Sequence, residues 1–531
     1  MFNLVITNGT ILDGTGSSAK TADVAIKGDT IADVGDLGSV EARETLDATG
    51  LLIMPGFIDV HSHSDMNLII NPNAESKMRQ GVTTEIIGQC GASGFPLEGP
   101  YRDQIQDDMK RKYDLEITWT DINGYCEKLE SLKPAVNVAL FVGQGAIRGS
   151  VLGYENKKPD SQQLKRMEME VEKAIDHGVL GITTGLIYSP GYFADTSEIV
   201  ALAKVARKAD GLYASHIRGE GDTLIEAIQE AIQVGREAGV GVQISHLKAS
   251  GPRNWGKVRR AVELIEQARA DSMDIQFDKY PYTASSTSLD SLLPKWAHEG
   301  GTDATLSRLS DPAMHQKILR AVTLNNEGEK GWESILLAFS GCEKYQAWEG
   351  ETLAEIARKT RMEPFDLFID LLVRSRLATA ICGFSMCQED TDMAILHRCG
   401  LVCSDSSAWA PYGALSRGKP HPRAYGTFPK FFRDYVKERP LLALEEAVAK
   451  VTSKSAERFG LKKRGRVSPG YFADLVILDW EQFLDTATYA NPHQYPTGVA
   501  GVVVNGVVTL WRESLTGKRA GRILARSSST R

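Results

Sequence analysis

Hydrophobic and polar positions along this chain fall into two textures. Near the start, Leu4 to Ile11 alternates and ends in turn residues, and Ala22 to Ile26 and Thr30 to Val34 repeat a rhythm of short strand and Gly-Asp turn. Alternation of this kind predicts half-buried β-strands. The same texture returns at Ala473 to Leu478, Val502 to Val504 and Val507 to Trp511, with Asn505-Gly506 as a tight hairpin turn. Neither end has enough strands to close a core alone, so the two ends are expected to pair into one small β-sandwich domain, residues 1–54 with 466–531.

Between the ends, strand-like runs alternate with amphipathic helical stretches. The runs are Phe57 to Val60, Thr83 to Ile87, Val136 to Val142, Gly181 to Leu186, Leu212 to His216, Val242 to His246, Ile275 to Tyr282 and Leu401 to Asp405. Helical periodicity separates most of them, as in Ser161 to His177, Thr196 to Ala209, Thr223 to Ala238 and Gly256 to Ala270. The pattern predicts an α/β fold, a TIM-like (β/α)8 barrel over residues 55–465. From about 285 to 384 the chain carries more sequence than a barrel unit needs. An excursion that follows a strand's C-terminal end lies on the active-site side of a barrel, so it is expected to be a lid.

Composition narrows the class. A net charge of −7 is spread over mixed-sign sequence without a basic patch, which argues against nucleic acid and anionic membranes as partners. No stretch approaches the apolar length of a membrane span, and Met1 to Ile6 lacks the features of a secretory leader, so the cytoplasm is the expected location. Seven cysteines, odd in number and scattered, do not make a disulfide framework. Oligomeric state is not readable from these features.

The candidate chemistry sits where the strands end. In Pro55-Gly56-Phe57-Ile58-Asp59-Val60-His61-Ser62-His63, strand alternation projects both histidines from one face, as a metal site requires. Cys90, His216, His246 and Asp405 each follow an apolar run and precede turn residues. Each has a plainer use alone, as a packed thiol, a core histidine or a helix cap. Together they mark the rim where barrel enzymes place catalytic groups. Lys248 and Arg423 are cations suited to a carboxylate. His177, His315, His397 and His493 read as structural or solvent-facing, and Cys382, Cys387, Cys399 and Cys403 as thiols without paired zinc-knuckle spacing.

These motifs, with Ser404-Asp405 and Gly470-Tyr471-Phe472-Ala473-Asp474-Leu475-Val476, resemble the metal-dependent amidohydrolase superfamily. Gly88-Gln89-Cys90-Gly91, His216-Ile217-Arg218, Ser245-His246-Leu247-Lys248, Tyr280-Pro281-Tyr282 and the stretch from His421 to Pro429 are similar to the N-acyl-D-amino-acid deacylases, or D-aminoacylases. The resemblance implies zinc-dependent hydrolysis of the amide bond of N-acyl-D-amino acids, small-molecule substrates. It implies a tight zinc held by Cys90, His216 and His246 with a position left for water, and a second, weaker metal position at His61 and His63. Asp405 is the expected proton carrier, and Lys248, Tyr280, Ser286 and Arg423 the expected substrate-binding residues. Leu289, Leu292, Leu293, Pro294 and Trp296 are expected to wall an apolar side-chain pocket. Two other functions share parts of the pattern. A cyclic-amide hydrolase of the hydantoinase or dihydroorotase type would carry a metal-bridging lysine on the fourth strand, which Gly181 to Leu186 lacks, and a catalytically silent scaffold would have lost ligands.

Overall fold

The computed structural model describes residues 1–326 and 331–526. One nine-stranded sheet runs through both ends of the chain. Phe2–Ile11 pairs antiparallel with Lys20–Lys27, which continues to Thr30–Gly35. The link to the distant C-terminal strands is Leu52–Pro55, parallel to the end of Phe2–Ile11 and antiparallel to Leu475–Leu478. Val499–Val504 and Val507–Trp511 follow through the Asn505-Gly506 turn, where both residues take positive φ (47° and 76°), as the tight hairpin requires. Leu4, Ile6, Val24, Ile53, Ile477 and Val503 from both ends share one apolar core.

The central part is built of parallel strands. Phe57–Asp59, Val82–Ile87 and Asn137–Leu140 are neighbours in one sheet. Val142–Gly143, Gly181–Gly185, Leu212–His216, Gly241–Ile244, Ile275–Lys279 and Gly400–Val402 are neighbours, in that order, in another. The run expected as one strand from Val136 to Val142 is thus divided at Phe141. The physical reason is a further partner. Ile523–Leu524, close to the end of the described chain, pairs in parallel with Val138 and Ala139 and takes the edge that Gly181–Gly185 meets only higher up. At the other end of the series, Ser62 and Ser406 form a parallel bridge, and the Asp405 N–H donates to the His61 carbonyl at 2.9 Å.

Helices between the strands cover the sheets with their apolar stripes. Ser161–Asp176 opens on an Asp160/Gln163 capping box and buries Met167, Val171 and Ala174, while Leu224–Ala238 buries Ala227, Ile228, Ala231 and Val234. Among the described residues no helix is long and apolar enough to cross a membrane.

The excursion forms its own small body. Ser285–Ser288, Ile335–Phe339 and Ala380–Gly383 make an antiparallel sheet backed by Leu353–Thr360 and Pro364–Ser375. Its core corrects one expectation: Leu289 and Leu293 are buried against Ile335, Leu337 and Phe368, with Leu292 and Trp296 packed on that cluster, rather than lining a substrate pocket. Apolar residues that follow a site motif in sequence here serve the local core of the excursion.

Candidate metal centre and active site

Cys90, His246 and Asp405 each stand just past a strand end, and each takes a left-handed backbone, with φ of 53°, 35° and 49°. Side chains other than Gly and Asn/Asp rarely adopt this conformation, and holding one there costs about 1–3 kcal/mol. The surroundings impose it. Gly91 follows Cys90 at φ 75°, and any Cβ there would come within 2.6 Å of the Gly185 backbone nitrogen, so the Cys90 turn lies directly on the neighbouring strand. For His246, the Asp278 carboxylate accepts the backbone N–H at 2.8 Å.

With His61, His63 and His216, the side chains of these turns make two overlapping groups. Ligand-type atoms of His61, His63, Cys90 and Asp405 lie within 4.8 Å of one another, as do those of Cys90, His216 and His246, so Cys90 belongs to both groups. Cys90 Sγ is 3.3 Å from His61 Nε2 and 3.4 Å from His246 Nε2. Asp405 Oδ1 is 3.0 Å from His63 Nε2 and 3.4 Å from His61 Nε2. The rings of His216 and His246 stand 4.5 Å apart, edge to face.

The donor set suits a zinc-type cation. Glu220 Oε1 lies 3.1 Å from His246 Nδ1, and Asp278 Oδ1 lies 3.3 Å from His61 Nδ1. Glu220 and Lys248, whose Nζ is 2.7 Å from His246 Nδ1, hold that ring from behind, Asp278 stands behind His61, and both Nε2 atoms face the sulfur. His216 is nearly fully buried, yet neither of its ring nitrogens has a hydrogen-bond partner. A buried imidazole so placed is costly unless something else meets its lone pair, and a cation between His216, His246 and Cys90 does so. Burial alone would push the Cys90 thiol up, but the charges of His61 and His246 outweigh it and hold it well below its ordinary value, toward the thiolate that binds metal.

Around this centre lies a cavity of about 300 Å³. Lys248, Tyr280, Ser286, Asp405 and Arg423 all line it, together with Glu220 and Tyr188. Both expected carboxylate-binding cations already have acidic partners: Lys248 Nζ is 2.5 Å from Glu220 Oε1, and Arg423 Nη1 is 2.8 Å from Asp405 Oδ2. Arg423 also stacks over the Tyr280 ring, 4.6 Å from its centroid, and donates to the Ser286 carbonyl. Burial disfavours charge on Asp405, but Arg423 and His246, then His63, outweigh it, so its carboxyl lies well below the usual carboxylate range. The excursion closes one side. Ser285, Ser286 and Thr287 line the cavity, and the Tyr188 hydroxyl, whose ring packs on His216, meets Thr287 Oγ1 at 3.0 Å.

Beneath the histidines is a second polar group that the sequence reading missed. Lys77, fully buried, has its Nζ 2.6 Å from Asp59 Oδ2, 2.7 Å from Ser404 Oγ and 2.7 Å from the Ser406 carbonyl. Glu85 Oε2 is 3.4 Å from that nitrogen and accepts from Ser62 and Ser64 at 2.5 Å each. Glu220 and Asp278 were also missed. The signals were a glutamate in Arg218-Gly219-Glu220-Gly221 directly after His216, and a charged Asp278-Lys279 pair ending an apolar run.

The histidines set aside as structural do have local partners. His177, His315 and His493 bond to backbone carbonyls, while His397 lies with Glu266 and Cys399 in a third group of ligand-type atoms. There the His397 Nδ1 accepts the Cys399 N–H at 3.2 Å, which puts the ring proton on Nε2, facing Glu266.

The sequence profile described as the amidohydrolase family matches residues 44–510. The chain is 34% identical to an N-acyl-D-glutamate deacylase of Alcaligenes xylosoxydans xylosoxydans, over 99% of this chain and 97% of that one. It is 32% identical to a D-aminoacylase of the same organism, over 99% and 98%. In three dimensions it is similar to the crystal structure of N-acyl-D-glutamate deacylase from Bordetella bronchiseptica, complexed with zinc and a phosphonate mimic of the tetrahedral intermediate. That likeness has a TM-score of 0.83 at 30% identity and covers 99% of this chain and 100% of that one.

Proposed function

We propose that this chain, which belongs to the amidohydrolase family and within it to the N-acyl-D-amino-acid deacylases, hydrolyses the amide bond of N-acyl-D-amino acids with zinc as cofactor. The products are a carboxylic acid and a free D-amino acid. The observation that carries the reading is the meeting of Cys90, His216 and His246, whose ligand atoms lie within 4.8 Å of one another, with both nitrogens of His216 otherwise unpartnered.

In this reading Cys90, His216 and His246 would hold the tighter metal and His61 and His63 would make the weaker adjacent position; Cys90 belongs to both groups of ligand atoms. Zinc bound there would supply a lowered pKa for water, from about 15.7 to about 7, and polarisation of the amide carbonyl. Asp405 carries the proton. Its carboxylate, 3.0 Å from His63 Nε2, is placed to accept the proton from water and return it to the departing nitrogen, which leaves as a neutral amine. Lys248, Tyr280, Ser286 and Arg423 receive the substrate's α-carboxylate, with Tyr280 Oη and Arg423 Nε both buried and unpartnered in the free enzyme. Glu220 and Asp278 orient the histidines.

Fold details belong to the same proposal. The two parallel sheets close into a (β/α)8 barrel, supported by the Ser62–Ser406 bridge at one seam and continuity through Phe141 at the other. The sheet shared by both ends curls around its core as the small sandwich, and residues 285–384 act as the lid.

Hydrophobic side chains are favoured over acidic ones, because the α-carboxylate takes Lys248 and Arg423 and the cavity lining offers no further lysine or arginine for a second substrate charge. The test is release of free amino acid from a panel of N-acyl-D- and N-acyl-L-amino acids by the zinc-loaded enzyme, with metal analysis alongside. N-acetyl-D-leucine is expected to exceed N-acetyl-D-glutamate and N-acetyl-D-aspartate in kcat/KM. Activity on cyclic amides alone, or none on any amide, would overturn the proposal.

A further inference from the structure

Behind Asp405 lies a second chamber of about 170 Å³. It shares only His63, Ser286, Asp405 and Arg423 with the main cavity, so those four residues form the partition between them. Beyond the partition its apolar walls are Ala338, Phe339 and Ala380 from the excursion's sheet and Trp409 and Pro420 from the segment after Asp405, with Ser406, Ser407 and His421 as polar members. Phe339 and Ala380 are paired across that sheet, so one wall is a rigid strand pair rather than a loop. Arg417 stands at the exposed rim and donates to the Lys112 carbonyl.

An N-acyl amino acid has two halves of different character. Its amino-acid half carries the carboxylate and belongs with the cations of the main cavity. Its acyl half is uncharged and is attached to the carbon under attack, which lies beside the ligand histidines. His63 is the histidine of that set that lines both chambers, and about a third of its side chain is exposed (32%). The reacting carbon would therefore stand against this partition, and a group on it that moved past the partly exposed His63 would enter a chamber where burying its methylenes is favourable.

We propose that this second chamber is the acyl subsite, taking uncharged acyl chains longer than acetyl, with Phe339, Ala380 and Trp409 as the residues that set their length. The proposal rests on the deacylase reading above and adds the other half of the substrate to it.

The experiment compares kcat/KM for N-acetyl-, N-butanoyl- and N-hexanoyl-D-leucine, and for N-acetyl-D-alanine and N-acetyl-D-phenylalanine, in the zinc-loaded enzyme and in two variants. In the unaltered enzyme the hexanoyl substrate is expected to match or exceed the acetyl one. Ala380→Phe, which fills the chamber, is expected to lower the hexanoyl-to-acetyl ratio at least tenfold. Trp409→Ala enlarges the chamber from the opposite wall, where only the Trp409 backbone is bonded to Ser76, and is expected to raise the ratio. An unchanged ratio in both variants overturns the acyl subsite and leaves deacylation standing. So does a shift confined to the phenylalanine-to-alanine ratio, which would place the amino-acid side chain in the chamber instead. Failure of the unaltered enzyme to release amino acid from any of these substrates overturns the deacylase reading itself, and the subsite with it.

Discussion

Below the ligand histidines, Lys77, Asp59, Glu85, Ser62 and Ser404 bond to one another with both acids and the lysine fully buried and Glu85 Oε1 left over, whereas above them three separate side chains, His216, Tyr280 and Arg423, keep buried polar atoms without partners. The lower group ties the strand Phe57–Asp59 to the turn after Gly400–Val402, since Lys77 touches both Asp59 and Ser406. Buried charges so paired fix geometry first of all. The upper group is the reverse, a set of donors and lone pairs costly to leave alone and satisfied when metal and substrate arrive. The contrast locates rigidity and reactivity on opposite sides of one layer of histidines.

Variants that cross from one side to the other test this contrast. The largest effect is expected from Cys90→Ala, which removes the sulfur common to both candidate metal positions: zinc content measured by atomic absorption should collapse and activity fall to background. Asp405→Asn should keep the zinc and lose about 10²–10⁴-fold in kcat, the usual worth of a positioned acid–base group. Substantial residual turnover there would remove Asp405 as proton carrier. Lys77→Met leaves two buried carboxylates uncompensated and should destabilise the fold by about 3–5 kcal/mol in denaturant titrations, an effect that its place far below the substrate would otherwise not suggest. Arg423→Lys exchanges a planar fork for a point charge and should raise KM about tenfold, the loss of one charge-assisted hydrogen bond of about 1.5 kcal/mol.

The smallest effect belongs to the excursion, where charge pairs are half exposed rather than buried. Burial pushes the Asp370 carboxyl up, but hydrogen bonds from Lys344, Tyr345 and Arg374 outweigh it and hold it at about 2. A carboxyl depressed in the folded state adds stability that is complete above the ordinary range near pH 4 and is lost as pH falls through about 2. Asp370→Asn should therefore lower Tm slightly at pH 5 and by less at pH 2, and an equal change at both would show that the carboxylate charge is not involved.

Much of the candidate site was legible because its members punctuate strands: His61, Cys90, His216, His246 and Asp405 each interrupt an apolar run, and the structure gathers all of them. What was not legible depends on partners distant in sequence. Lys77 looks like one more polar residue of a short helix until Asp59 and Ser404 are brought to it from opposite ends of the parallel series. Glu220 acquires meaning only when Lys248 and His246 stand beside it. The leucines after Ser286 misled for a related reason, since an excursion long enough to need its own core spends its apolar residues there. The strand Ile523–Leu524 is too short for any periodicity to announce it.

The pairing of Leu52–Pro55 with Leu475–Leu478 also constrains how this polypeptide can be made. On the ribosome, more than four hundred residues are translated between the first of these strands and its antiparallel mate, so the early sheet waits with an open edge while the metal-binding part is still emerging. Its hazard in the cell is thus one of timing, and helper proteins that shield that edge during synthesis should raise the yield more than any that act after release.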